Sequence, residues 1–166
     1  DFFFKKKSKI SKTEQKLASR LTEEQLRAKT EASIVKKLGE ISNMTWSPQA
    51  EAALSSTMVQ WAKLDPQSAL NYALSIESRR ARVNAINNVL GTWAKADPAA
   101  AQQWFLANMP QDPLAASATV RNLYTGMGKA QMDAALQTVS QLPTVELQNL
   151  ALQTLMSQVV RGGDES

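Results

Sequence analysis

A nine-residue segment occurs twice in this chain, and its repetition limits the folds that the chain can adopt. Trp61–Ala69 reads WAKLDPQSA, and Trp93–Ala101, 32 residues later, reads WAKADPAAA. Tyr72 matches Trp104 at the same offset, and a weaker third copy begins at Met127. Repeats of this length that hold two helices each are typical of stacked helical hairpins. The repeat therefore predicts an α-solenoid-like stack of antiparallel hairpins.

Prolines that follow a capping residue mark the expected helix starts. The pattern occurs at Ser47-Pro48, Asp65-Pro66, Asp97-Pro98 and Asp112-Pro113. Ser and Asp accept hydrogen bonds from the free amides of a first helical turn, and proline has no amide to leave unpaired there. Together with apolar residues spaced three or four apart, these starts predict an all-α fold of seven or eight helices. We expect helices at 22–38, 47–63, 66–76, 79–95, 98–108, 113–129, 131–141 and 144–160.

The junction between the hairpins resembles that of the tetratricopeptide repeat family. The segment Asp97–Phe105 reads DPAAAQQWF, and Asp65-Pro66 with Ala69 and Tyr72 matches the same junction in part. The resemblance covers about residues 60–143, although Trp61 and Trp93 stand where the family usually has alanine. It implies a non-enzymatic scaffold for protein–protein interaction. Trp61 and Trp93 continue apolar stripes, so we expect both side chains to be mostly buried.

The composition excludes several classes of chemistry. The chain has no histidine, no cysteine and only six glycines. Zinc fingers, histidine-dependent catalytic triads, thiol chemistry and disulfide frameworks are therefore ruled out. No acidic loop supplies the six to eight oxygens that calcium needs. We expect neither a cofactor nor a metal site, and we expect that the protein is not an enzyme.

The positive charge of the chain lies in its first 40 residues. Residues 1–40 hold eleven Lys or Arg and six Asp or Glu, whereas residues 41–166 hold eight and nine. We expect a flexible basic leader at 1–10, one or two amphipathic helices at 11–40, and a helical-repeat domain at 41–166. Capping-box patterns at Ser11 with Glu14 and at Thr22 with Gln25 support both possibilities for 11–40.

The leader predicts a position beside a membrane. Three phenylalanines precede its lysines, as at the edge of a membrane segment that has been removed. The lysines expected to contact an anionic surface are Lys5, Lys6, Lys7, Lys9 and Lys12. The absence of cysteine suits an oxidising periplasm, whereas a lysine run directly after a membrane span usually stays cytoplasmic. We expect a membrane-attached extracytoplasmic domain in the periplasm, with a cytoplasmic location as the alternative.

The candidate partner-binding residues lie in the predicted helices at 79–95 and 98–108. They are Arg79, Arg80, Arg82, Asn84, Asn87, Asn88, Trp104 and Phe105. Asparagines three or four apart on a helix can bind a peptide backbone, so we expect a protein or peptide partner. Nucleic acid, bound through the leader and the arginines, is the alternative.

Two carboxylates leave a second alternative open. A hydrolase needs a pair of carboxylates about 5–10 Å apart, and Asp65 and Asp97 occupy equivalent positions of neighbouring repeats. Each is also followed by proline, which favours a role as a helix cap.

Overall fold

The protein is all-α over residues 11–161, the part of the chain that the computed structural model describes. Eight α-helices lie in that range, and no strand does. They are α1 (Lys12–Ser42), α2 (Pro48–Leu64), α3 (Pro66–Ser75), α4 (Arg79–Ala96), α5 (Pro98–Ala107), α6 (Pro113–Met127), α7 (Met132–Val139) and α8 (Val145–Arg161). The all-α prediction is confirmed, and so are the predicted helix starts at the four prolines.

Side-chain caps begin most of these helices. Ser47, Asp65 and Asp97 each accept a hydrogen bond from the backbone amide three residues later. Asp112 accepts one from the amide of Leu114. In all four cases proline is the first helical residue, where its missing N–H removes no helical hydrogen bond.

The region 11–40 forms one helix rather than two. Ser11 and Glu14 form the predicted capping box at the start of α1. The second predicted box, at Thr22, is wrong, because the Thr22 hydroxyl donates to the carbonyl of Ala18 at 2.9 Å inside the continuous helix. Ile34 and Leu38 are buried in the C-terminal part of α1.

The helices pack in two rows. In the first row α2 contacts α4, α4 contacts α6, and α6 contacts α8. The second row holds α3, α5 and α7, which pack against the helices of the first, while α1 contacts α2 at one end. Apart from α1, each helix in either row thus begins or completes a hairpin with its neighbour along the chain. This arrangement places α4 and α6 at the centre of the molecule.

The core contains two of the residues that the repeat placed there. Trp61 is 8% exposed, and its ring lies 5.8 Å from that of Tyr72. Trp93 packs against the core with only a minor part of its surface exposed, so the prediction that it is mostly buried is confirmed.

Unequal helix lengths leave part of the central pair uncovered. The α5 helix has 10 residues, whereas α4 has 18 and α6 has 15. At 1.5 Å per residue, α5 is about 12 Å shorter than α4. Because α5 runs back from the C-terminal end of α4, it stops before the N-terminal end of α4. A recess opens there.

Candidate functional site

The recess is a groove of about 290 Å³ between the N-terminal parts of α4 and α6 and the end of α5. We call it the α4–α6 groove. Its walls come from α3, α4, α5, α6 and the connection at 108–112. The lining residues are Leu74, Arg79, Arg82, Val83, Ile86, Asn87, Trp104, Phe105, Asn108, Pro110, Gln111, Asp112, Ala115 and Thr119.

Apolar side chains form most of the groove wall. Val83 and Ile86 lie one turn apart on α4, Trp104 and Phe105 come from the end of α5, and Leu74 comes from α3. Phe105 is 1% exposed and belongs to the core, whereas Trp104 is partly exposed. Adjacent residues on a helix point about 100° apart. Trp104 is therefore the accessible member of this predicted pair, and Phe105 supports the wall from inside.

Charged residues lie at the groove mouth. Arg79 Nη2 is 3.7 Å from Asp112 Oδ2, so a cation from the start of α4 meets the capping carboxylate of α6. Arg82 donates to the carbonyls of Ile76 at 2.7 Å and Glu77 at 3.3 Å. Arg82 thus holds the end of α3 against α4, and Arg79 remains the more exposed cation.

Asn87 gives the groove wall an unused acceptor. Its side-chain Oδ1 is buried and has no hydrogen-bond partner among the described residues. Asn87 also lines the groove. A buried polar atom without a partner costs stability, and a hydrogen-bond donor placed in the groove beside Asn87 would remove that cost.

The remaining predicted residues of α4 lie outside the groove. Arg80 Nη2 is 3.9 Å from Glu51 Oε2, and Asn84 donates to Glu51 Oε1 at 3.0 Å. Both residues line an adjoining, more open hollow that shares Arg79, Val83, Asp112 and Ala115 with the groove. Asn88 lines neither recess. The six predicted polar residues of α4 therefore separate into those on the groove, those on the hollow, and Asn88.

The carboxylates of Asp65 and Asp97 act as helix caps. Asp65 accepts from the amide of Ser68 at 3.0 Å and from its hydroxyl at 2.7 Å. Asp97 accepts from the amide of Ala100 at 3.0 Å. The Ser68 hydroxyl and amide lower the pKa of Asp65 below its ordinary value of 3.8. These hydrogen bonds are the ones expected if both aspartates act as helix caps.

Removing either cap is expected to destabilise the fold. Asp97→Ala should lower the free energy of unfolding by about 0.5–2 kcal/mol. Asp65→Ala should cost at least as much at pH 7, because it also removes the bond from the Ser68 hydroxyl. Folding lowers the pKa of Asp65, so the ionised side chain stabilises the fold fully above pH 3.8. This stabilisation is lost as the pH falls through the pKa that Asp65 has in the folded protein. Urea denaturation at a series of pH values measures both effects.

Ser68→Ala provides the control for the pH effect. This substitution should raise the pKa of Asp65 towards 3.8, because it removes the Ser68 hydroxyl, the largest cause of the shift. NMR titration of the Asp65 side-chain carboxyl measures this pKa. An unchanged stability in Asp97→Ala would show that Asp97 does not cap α5.

Most of the leader lies outside the described residues. Lys5, Lys6, Lys7 and Lys9 belong to residues 1–10, and only Lys12, exposed at the start of α1, is described. Between residues 11 and 161, no helix combines the length and apolar character that a bilayer crossing requires. The same part of the chain has no cluster of three or more acidic side chains suited to a metal ion. The membrane-attached location stays a prediction.

Comparisons with known proteins identify no relative. No protein family, no curated protein and no solved structure matches the chain.

The groove residues of α6 and the apolar groove residues of α4 are not predicted from the sequence, because the groove forms only where several helices meet. The helical spacing of Val83 and Ile86 is typical of core residues, and their partial exposure depends on where α5 ends. Ala115 and Thr119 of α6 carried no signal beyond helix propensity. The early end of α5 is predicted from the sequence, which places this helix at 98–108, before the proline at 110, and the structure ends it at Ala107.

Proposed function

We propose that this chain is a non-enzymatic protein-interaction module, built from tetratricopeptide-like helical hairpins, that binds a peptide segment of a partner protein in the α4–α6 groove. The observation that carries the proposal is the unpartnered Asn87 oxygen in an otherwise mainly apolar groove wall. The ligand that fits is a segment with one large apolar side chain next to acidic residues.

The size of the groove favours a single anchoring side chain. Small-molecule and cofactor sites usually have volumes of about 300–1,000 Å³, and this groove lies at the lower limit with about 290 Å³. Its apolar walls favour an aliphatic or aromatic group, and one such anchor in a pocket often dominates the affinity of an interface. Leu74 at its edge is 47% exposed, which extends the apolar surface beyond the recess.

The Asn87 oxygen favours a peptide over a simple hydrocarbon ligand. Every residue of a peptide other than proline carries a backbone N–H donor. An N–H next to the anchor would satisfy Asn87 Oδ1 and remove the cost of its buried, unpaired state. A ligand without a donor would leave that cost in place.

The charge at the start of α4 favours acidic residues beside the anchor. Arg79 and Arg80 have side chains that are 76% and 79% exposed, and the first turn of α4 contains no acidic residue. Both arginines also lie at a helix N-terminus, where the backbone dipole attracts negative charge. A carboxylate of the ligand would therefore complement both the side chains and the helix end.

Three short peptides test the ligand chemistry. The acidic probe is acetyl-Ser-Glu-Glu-Leu-Ser-Gly-amide with a fluorescent label, and its two controls replace Leu by Ala or both Glu by Lys. Titration with the full chain, followed by fluorescence polarisation, should show the tightest binding for the acidic probe. Loss of the leucine side chain should weaken binding about tenfold or more, because about three buried carbon groups are removed. Equal affinity for all three peptides would contradict the proposal.

Paired variants locate the site. Leu74→Ser and Arg79→Glu should weaken binding of the acidic probe. The matched controls Leu114→Ser and Arg121→Glu change exposed residues outside the groove and should bind it normally. Asn87→Leu should weaken binding without loss of stability, since it replaces a buried unpaired amide by an apolar group of similar shape. Equal effects in the groove variants and their controls would place the site elsewhere.

A further inference from the structure

The cation that the groove offers to an acidic ligand already has a carboxylate beside it. Arg79 is the first residue of α4, and its Nη2 lies 3.7 Å from Asp112 Oδ2 at the groove mouth. Both residues line the α4–α6 groove and the adjoining hollow. A ligand carboxylate that approaches Arg79 through the mouth therefore meets the carboxylate of Asp112 there.

The chain fixes the position of the Asp112 carboxylate. Asp112 is the N-cap of α6, and its Oδ1 accepts a hydrogen bond from the backbone amide of Leu114 at 3.2 Å. Pro113 follows it as the first residue of α6, and a proline restricts the backbone of the residue before it. Asp112 thus stays at the mouth, whereas the long, exposed side chain of Arg79 has many rotamers and can turn from Asp112 towards a ligand.

The contact between Arg79 and Asp112 is loose enough for a ligand to replace it. At 3.7 Å the two atoms lie beyond hydrogen-bond distance, and both side chains are exposed, so water screens the attraction. The neighbouring carboxylate of Glu51 is held more firmly. Asn84 donates to its Oε1 at 3.0 Å, Arg80 lies 3.9 Å from its Oε2, and its side chain is 27% exposed. Asp112 is therefore the carboxylate that a ligand displaces more easily.

We propose that Asp112 limits the affinity of the α4–α6 groove for acidic ligands by competing with the ligand carboxylate for Arg79. This inference rests on the function proposed for the groove. An acidic ligand must draw Arg79 away from Asp112 and then lie close to a second negative charge, so the carboxylate of Asp112 weakens its binding. A ligand without charge beside its apolar anchor leaves the pair of Arg79 and Asp112 in place. Asp112 is thus a specificity-determining residue of the groove.

Asp112→Asn tests the competition because it removes the charge and keeps the cap. Asparagine caps a helix about as well as aspartate, so α6 should begin at the same residue. In the fluorescence polarisation titration, the variant should bind the acidic probe about twofold to fivefold more tightly than the wild type, the range that the energy of an exposed ion pair permits. A neutral probe, in which both glutamates are replaced by glutamine, should bind the two proteins equally. The matched control, Asp97→Asn, makes the same change at the cap of α5, outside the groove, and should bind the acidic probe normally.

The Arg79→Gln background separates competition from simple repulsion of the ligand. In that background Asp112→Asn should give a smaller gain in affinity for the acidic probe, because no guanidinium is left to compete for. An equal gain with and without Arg79 would overturn the proposal, since Asp112 would then act by repulsion alone.

The remaining outcomes distinguish this proposal from the one on which it rests. Wild-type binding of the acidic probe that does not change in Asp112→Asn overturns the competition and leaves the function proposed for the groove intact. Equal gains for the acidic and neutral probes, or an equal gain in Asp97→Asn, do the same. If the acidic probe binds neither the wild type nor Asp112→Asn, the function proposed for the groove is wrong and the competition falls with it.

Discussion

Gly126→Ala is expected to destabilise the protein by about 3 kcal/mol or more, at the upper end of the cost of overpacking a core. A Cβ atom added at Gly126 would lie 2.2 Å from the carbonyl oxygen and 2.8 Å from the Cα of Gly91. Both are backbone atoms of α4, so no side chain can rotate away and the two central helices must separate. Urea denaturation followed by circular dichroism measures the loss.

Two other helical glycines give matched controls for Gly126. At Gly91 the nearest atom to an added Cβ is the carbonyl oxygen of Asn122 at 3.5 Å, an ordinary contact. At Gly39 nothing lies within 4 Å. Gly39→Ala should stabilise the protein by about 0.5–1 kcal/mol, because alanine has the higher helix propensity. A Gly126→Ala variant as stable as Gly91→Ala would show that α4 and α6 do not approach so closely.

Tyr124→Ala is expected to cost about 3–5 kcal/mol, the usual loss for a large buried aromatic residue. Tyr124 is 0% exposed, and its Oη lies 2.9 Å from Thr138 Oγ1 and 3.4 Å from Gln102 Oε1. The Tyr124 hydroxyl has a single hydrogen to donate, to Gln102 Oε1 or to Thr138 Oγ1, and Thr138 also lies in reach of the carbonyl of Ala135 at 2.7 Å. Tyr124→Phe keeps the ring and should cost less, about 1–3 kcal/mol, for the acceptors left unpaired. Thermal or urea unfolding of both variants separates the two contributions.

The same tyrosine gives the fold a sensitivity to alkaline pH. Burial raises the pKa of Tyr124 from its ordinary value of 10.0 to about 12. As the pH rises, the Tyr124 hydroxyl therefore loses its proton in the unfolded chain before it does so in the folded protein. The free energy of unfolding falls for this reason as the pH rises from about 10 to about 12. The wild-type protein should lose more stability over this range than Tyr124→Phe. Parallel stability curves for the two proteins would contradict the burial of a protonated Tyr124.

Helix starts could be predicted from the sequence because the interactions that fix them are local. Asp65 and Asp97 need only the amides of the next turn, and Pro66 and Pro98 lie next to them in the chain. Local patterns fail where a longer element overrides them. Thr22 lies inside α1, where the uninterrupted helix leaves no free amides for its hydroxyl to cap.

The candidate site could be predicted only in part because it depends on distant contacts. Arg79, Asn87 and Trp104 were selected from residue type and position, and all three line the groove. The contact of Arg79 with Asp112 was not predictable, since it requires the packing of α4 against α6. The same holds for Asn84, whose partner Glu51 is 33 residues away on α2. The sequence identified polar residues on α4, and the packing decided which of them face the groove.

The chemical shifts of the protein during addition of the acidic leucine peptide test the central claim most directly. In two-dimensional NMR spectra of the isotope-labelled full chain, the indole N–H of Trp104 and the side-chain amide of Asn87 should shift with increasing peptide. The exposed Trp46, in the connection before α2, is outside the groove, and its indole signal should remain unchanged. Shifts confined to residues outside the α4–α6 groove, or no shift at millimolar peptide, would contradict the account of this groove as a peptide-binding site.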